Sequence, residues 1–247
     1  MRGWGKLIIT EFKLYLREPT AAFFTLAFPL MMLFLFGSIY GNKPTPLFGG
    51  YGTVDVSVPA YTAMIIGSVS LLGIPVVIAT FREKGILRRF RATPLRPQAI
   101  LVSRIVVDFG MSLLGMALLV IAGKAVYNLR FEGNIFYVAL AFALSALSFF
   151  SAGFLIASLA PTTRVAQTVG MVLFYPMLFL SGAAIPLEIL PENIRRISNL
   201  LPLTYVVKLL KGMWFGESWG KHLVETAILA GILIVSTAIS SRVFRWE

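Results

Sequence analysis

Cysteine is absent from this 247-residue chain, and histidine occurs once, at position 222. Disulfides, thiol catalysis and cysteine-ligated metals are thereby excluded, and one histidine does not build a histidine metal site. Charge is scarce too: 13% of residues are Asp, Glu, Lys or Arg, where soluble domains average about 25%. Acids are the rarer sign, 11 against 22 bases. No cluster of membrane-face aspartates exists to hold the metal a lipid-modifying transferase needs. Nor does any G-x-x-x-x-G-K-[ST] string occur, so the chain has no phosphate cradle of its own.

What fills the space is apolar: 57% of residues are hydrophobic. The run Thr20–Tyr40 has no charge and no break but Pro29. At about 1.5 Å per residue it measures roughly 31 Å, about the thickness of a bilayer's hydrocarbon core. Comparable stretches recur at 58–80, 103–123, 135–160, 166–185 and 223–243. The expected fold is an all-α integral membrane protein, with six transmembrane helices in one domain covering residues 1–247. Residues 1–19 are charged throughout and do not read as a cleaved signal peptide.

The positive charge is unevenly spread. Arg2, Lys6, Lys13 and Arg17 precede the first span, and Arg82, Lys84, Arg88, Arg89, Arg91 and Arg96 lie between the second and third. Arg164 separates the fourth and fifth spans, and Arg242 and Arg245 close the sixth. The alternate loops are poorer, with Lys43 in 41–57 and Lys124 and Arg130 in 124–134. The positive-inside rule makes both termini and the 81–98 loop cytoplasmic, in a cell membrane. Segment 186–221 runs against the rule with Arg195, Arg196, Lys208, Lys211 and Lys221. Such cationic loops meet anionic lipid or obey topology, and nucleic acid is not an expected partner.

Residues 2–18 read as an amphipathic interfacial helix. Trp4, Leu7, Ile8, Phe12 and Tyr15 fall on one side and Arg2, Lys6, Lys13 and Arg17 on the other. Glu11 lands in the apolar stripe, either as a blemish or as the partner of a base from another cytoplasmic segment. Glu18-Pro19 ends the helix. In the 81–98 loop, a helix over 82–92 places Lys84, Arg88 and Arg91 on one face and Ile86, Leu87 and Phe90 on another. Thr93-Pro94 stops it. A loop that only sets topology needs bases but not an exposed apolar stripe. That stripe wants the inner leaflet or a protein with a hydrophobic groove.

The strings Arg82-Glu83-Lys84-Gly85-Ile86-Leu87 and Arg91-Ala92-Thr93-Pro94-Leu95 resemble the cytoplasmic loop of ABC-2-type permeases, the membrane subunits of bacterial ATP-binding-cassette exporters. The N-terminal amphipathic helix, the six spans and the Pro-Leu-Thr-Tyr at 202–205 are similar to that family too. The Ala-Thr-Pro-Leu form leans toward its drug-export branch.

The resemblance implies that 83–95 is a coupling helix docking on a separate ATPase. Ile86, Leu87 and Phe90 would insert there, framed by Lys84, Arg88 and Arg91, with Glu83, Gly85, Thr93 and Pro94 in the same coupling segment. Arg164, in the 161–167 loop, would make a second contact. Trp4, Glu11 and Arg17 would belong to the connecting helix. It further implies that ATP and Mg are bound by the partner ATPase and not by this chain. A second permease subunit, a copy or a sister chain, would complete the transporter. The implied function is ATP-driven export of an amphipathic or lipid-like compound, without catalysis by this chain.

The segment 186–221 reads as two re-entrant or interfacial outer helices, 191–201 and 203–215, anchored by Trp214 and Trp219. Either they cap the bundle or, as the resemblance implies, they form an external gate with Pro186, Pro202 and Tyr205. Arg104 and Asp108, four apart, are expected to pair on one helix face. His222 and Glu225 fall at the outer mouth of the sixth span. Phe28, Met31, Met32, Phe174 and Tyr175 are lipid-facing or packing residues, or an adaptable path for a greasy substrate. Gly67, Gly73, Gly110, Gly115, Gly153 and Gly170 are expected to let helices approach closely.

Two further classes fit the sequence less well. A rhomboid-type protease would need glycine where residue 179 is Phe, beside Ser181-Gly182, and His222 sits at a span edge. A channel or secondary transporter lacks an evident filter or ionisable pathway, and its loop would not need the Ile-Leu-Phe stripe. It is the remaining alternative.

Overall fold

The computed structural model describes residues 10, 12–15, 19–86 and 97–244. Among them every regular element is a helix, and six helices are long and apolar enough to cross a membrane. The first span joins a turn, Pro19–Ala22, through a π-helical stretch, Phe23–Ala27, to α1 (Phe28–Tyr40). The second runs from α2 (Thr53–Ser68) through another π stretch, Val69–Gly73, into α3 (Ile74–Glu83). The third to fifth are α4 (Pro97–Tyr127), α5 (Ile135–Leu159) and α6 (Thr163–Leu180). Two short helices, α7 (Glu192–Ser198) and α8 (Pro202–Trp214), precede the sixth span, α9 (Leu223–Val243).

The second span is the axis of the bundle. Every residue from Val54 to Ser68 is buried, against α1, α4 and α8 and more lightly against α5 and α6. By contrast α9, which packs mainly on α5, buries only Leu229 and Ser236.

Two prolines explain the π stretches and what packs on them. Pro29 and Pro75 have no N–H to offer the carbonyls four residues earlier, those of Thr25 and Leu71. Both carbonyls lie in π stretches, and at both a glycine of another helix closes in. A Cβ added at Gly115 would sit 2.9 Å from the Thr25 oxygen. One at Gly170 would collide with the Leu71 oxygen, and one at Gly153 with that of Ser70. These glycines allow close backbone approach, as expected of small residues at membrane helix interfaces. Gly67 is likewise tight, since an added Cβ would sit 3.2 Å from the Phe174 ring. Gly73 and Gly110 are not: among the described residues nothing lies within 4 Å of either added Cβ.

α4 turns its polar side inward. Ser103, Arg104, Val107, Asp108, Met111 and Ser112 are buried at helical spacing, while Val102, Val106, Leu113 and Leu114 are exposed. The expected Arg104–Asp108 pair forms, Nε to Oδ2 at 3.0 Å. Arg104 does not snorkel outward, being 1% exposed beneath the Tyr15 ring at 5.3 Å.

Several span boundaries move, and two of the shifts have a local cause. The second span starts at Thr53, not 58, because its first turn supplies a use for Asp55. Its Oδ2 accepts from the Gly52 N–H at 3.0 Å, while Asn42 Oδ1 accepts from the N–H groups of Val54 and Asp55 at 3.0 and 3.1 Å. Acceptors there satisfy the orphan donors of a helix start. The fifth span ends at Leu180, not 185. Gly182 is left-handed (φ 88°), and the Ala184 N–H folds back to the Leu178 carbonyl at 3.1 Å.

Trp214 is not a leaflet anchor. It is 3% exposed, its Nε1 donates to the Arg130 carbonyl at 3.0 Å, and its ring meets Phe131 edge-on. A buried indole that finds an acceptor belongs to the core. Trp219 is half-buried beside Tyr137.

Candidate functional site

At one end of the bundle, α3 stops beside the tight connection between α5 and α6. Glu83 Oε1 accepts from the Thr163 N–H at 3.0 Å, and its Oε2 accepts from the Thr163 hydroxyl at 2.6 Å. Its neighbour Arg82 donates to the carbonyls of Ala157, at 3.2 Å, and Ala160. Thr162, the N-cap of α6, accepts from the Val165 N–H at 3.2 Å. An acid thus sits on the N-terminus of α6 and a base on the C-terminus of α5. Each meets the backbone groups that a helix end leaves unpaired, with the favourable dipole sign. Thr80 adds a hydroxyl contact to Thr163 at 3.3 Å.

Six expected coupling residues, Leu87, Arg88, Phe90, Arg91, Thr93 and Pro94, lie outside the described residues, as do Trp4, Glu11 and Arg17. Of the others, Glu83 makes the latch, and Lys84 and Arg164 are exposed. Gly85 takes φ 65°, a left-handed value that side chains disfavour by roughly 1–2 kcal/mol. Ile86 is half-buried.

Directly above the latch is a cavity of about 340 Å³. Phe24 and Thr25 of the first π stretch face Val69, Leu72 and Gly73 of the second, with Met171 and Tyr175 of α6 closing a side. π-helical insertions often mark functional positions, since they free backbone and re-aim side chains. Polar groups are few: Thr25, Ser68, Gln167 and the hydroxyls of Tyr15 and Tyr175. Tyr15 is held there by a 2.6 Å contact with the Thr25 hydroxyl.

The expected path residues do not assemble around one space. Tyr175 lines this cavity, whereas Phe174 is fully buried against Gly67. Phe28 and Met32 pack on the main core, and Met31 is exposed.

At the opposite end, Pro202 starts α8, and the Tyr205 hydroxyl donates to the Asn199 carbonyl at 2.6 Å. Pro186 precedes a 3-10 turn, Leu187–Ile189. Asp55 escaped the sequence reading. It is wholly buried and also accepts from the Asn42 amide at 2.8 Å and the Arg130 N–H at 2.9 Å, so it ties two loops to the start of α2. Its signal in the sequence is an acid beside an apolar run, four positions before Pro59.

Residues 4–215 match the ABC-2 type transporter family. The chain belongs to that family. Nodulation protein J of Rhizobium leguminosarum bv. viciae is 28% identical over 103 residues, covering 42% of this chain and 40% of that relative. Against that protein, then, the ABC-2 chain spans less than half the relative's length. Nodulation protein J of Sinorhizobium fredii is 27% identical over 213 residues, covering 85% of this chain and 76% of the relative. The daunorubicin resistance ABC transporter permease protein DrrB1 of Streptomyces coeruleorubidus is 24% identical over 225 residues, or 89% and 76%. Six apolar helices and this family make the chain a multi-pass ABC-2 membrane protein.

Proposed function

We propose that this ABC-2 permease is the transport half of an ATP-driven exporter. A separate ATP-binding-cassette ATPase binds ATP and Mg, and a second permease subunit, a copy or a sister chain, completes the pathway. Both termini and the Glu83 end face the cytoplasm, and α7 and α8 form a re-entrant gate on the outside. The cargo is an amphipathic compound. Family membership supports the coarse reading, and the names of relatives that include a drug-resistance permease lean the same way.

One observation carries the coupling: the Glu83 latch joins the root of the 83–95 loop to the first residue of α6. Span two and α6 are also two walls of the 340 Å³ cavity. A push on the loop therefore moves both walls as one body, which is what coupling by alternation between two packings requires. The cavity's apolar lining with a few hydroxyls and one amide suits a molecule with a greasy body and a polar part.

A cysteine placed at Lys84 in this cysteine-free chain tests the reading. Cross-linking in native membranes, followed by mass spectrometry, is expected to recover an ATP-binding-cassette ATPase. Glu83→Gln should leave the membrane-inserted amount unchanged while lowering ATP-dependent transport about tenfold or more. Adducts with lipid probes alone would favour a secondary transporter not coupled to ATP.

A further inference from the structure

A second cavity, of about 640 Å³, opens at the Asp55 end between the 47–51 turn, α8 and the start of α9. We propose that it is a binding site for an organic ammonium ion carried on an apolar or aromatic body. As a station for cargo this rests on the exporter reading; as a cation site it stands without it.

The argument starts from the chain's one histidine. His222 is 9% exposed, faces this cavity, and has no hydrogen-bond partner on either ring nitrogen. Its Nε2 lies 3.4 Å from Glu217 Oε2 and its Nδ1 3.8 Å from Glu225 Oε2. A neutral imidazole has one N–H and one lone pair. In either tautomer, one nitrogen therefore presents a lone pair to a carboxylate. Two acceptors facing each other across a mostly buried gap call for a donor that bears positive charge.

The protein's own cations at the cavity are already engaged. Lys211 pairs with Glu188 at 2.6 Å, and Lys208 donates to Asn199 Oδ1 at 2.8 Å. Among the described residues, His222 is the one base within ion-pair distance of Glu217 or Glu225. The Glu225 side chain is 15% exposed, so its charge is poorly solvated.

A metal ion does not fit, because the two carboxylates stand on different sides of the ring. Among the described residues no group of three metal-ligating acids or histidines converges. Part of the wall is aromatic: Phe48, Tyr51 and Phe215 line it among aliphatic residues, with Tyr51 and Phe215 stacked at 3.9 Å between centroids. Aromatic faces beside carboxylates attract an ammonium by charge and by quadrupole. The Tyr51 hydroxyl points away, donating to Glu132 at 2.8 Å, which leaves the ring face as the contacting surface.

The histidine is also held in place for this role. A Cβ at Gly212 would run into its Nε2, so α8 fixes the ring with glycine at the contact.

Calorimetric titration of the purified full-length permease in detergent tests the site, with 2-phenylethylammonium chloride against neutral 2-phenylethanol. The ammonium is expected to bind at least about tenfold more tightly than the alcohol. Glu225→Gln and Glu217→Gln should each weaken the ammonium about tenfold, with the alcohol unchanged. Glu192→Gln, on exposed α7, should change neither. If Glu225→Gln does not fold, the more exposed Glu217 decides. Equal binding of the two probes, or ammonium binding indifferent to both variants, overturns the proposal and leaves a ring proton as the balancing charge. Because no ATPase takes part, a negative result here is separate from failure of the Lys84 cross-link.

Discussion

The second and sixth spans are both apolar enough to cross a membrane, yet they have opposite surroundings. Val54–Ser68 of the second is buried throughout, whereas α9 of the sixth buries two residues, Leu229 and Ser236. Hydropathy does not separate them, since lipid tails and a protein core are equally apolar solvents for Leu or Ile. What separates them is backbone. The second span offers two carbonyls of its π stretch, those of Ser70 and Leu71, that Gly153 and Gly170 approach, while an added Cβ at Gly231 of α9 would meet none of the described residues within 4 Å. Packing in a membrane is won by close approach and hydrogen bonding rather than by hydrophobic burial. The link from sequence to packing therefore runs through glycine, proline and serine more than through the large apolar residues.

Three substitutions would sharpen or break this contrast, each read as a thermal shift of the detergent-solubilised protein. The largest effect belongs to Asp108→Ala. Removing one partner of the buried pair takes a carboxylate from a guanidinium that is 2% exposed and should cost about 3–5 kcal/mol. A loss below about 1 kcal/mol would mean that the contacts Arg104 keeps, the Tyr15 ring among them, are enough to hold its charge. Gly153→Val comes next. Its side chain has to displace the Ser70 carbonyl, so a loss of roughly 1–3 kcal/mol is expected, and an unshifted melting curve would remove close backbone contact as the reason the second span is central. The smallest is Ile234→Ala, at a side chain 67% exposed toward lipid in α9. It should fall within about 0.5 kcal/mol. A larger loss in the isolated subunit would place that face of the sixth span inside a protein interface.

The two ends of the bundle differ in a related way. At the Glu83 end, charges complete helix termini: Glu83 on α6 and Arg82 on α5. At the Asp55 end one carboxylate, Asp55, is fully used by backbone and amide donors, while Glu217 and Glu225 face an unsatisfied imidazole. The first end uses its charges on helix termini, whereas at the second two carboxylates meet a ring that has no hydrogen-bond partner.

Much of this was legible beforehand. The six spans, the all-helical class, the Arg104–Asp108 pair and the loop bearing Glu83 follow from run length, spacing and motif, each of which is local. Trp214 was misread because its amphipathic ring serves a leaflet or a core equally well, and only the Arg130 carbonyl decides between them. Asp55 was overlooked because a hydropathy window counts an acid against a span, although a helix start welcomes one. Gly73 and Gly110 look no different in sequence from Gly153 and Gly170, and only the neighbouring helix tells them apart.

Run length alone determined that the chain spans a membrane six times as helices, and its loop strings pointed to the family. In lipid every backbone group must be satisfied within its own segment, so long apolar runs have no other solution. Tertiary structure alone decided which span is central, that Glu83 caps α6, and that His222 meets two carboxylates beside a partly aromatic wall. Those contacts join residues far apart in the chain, and no local periodicity records the partner across the gap.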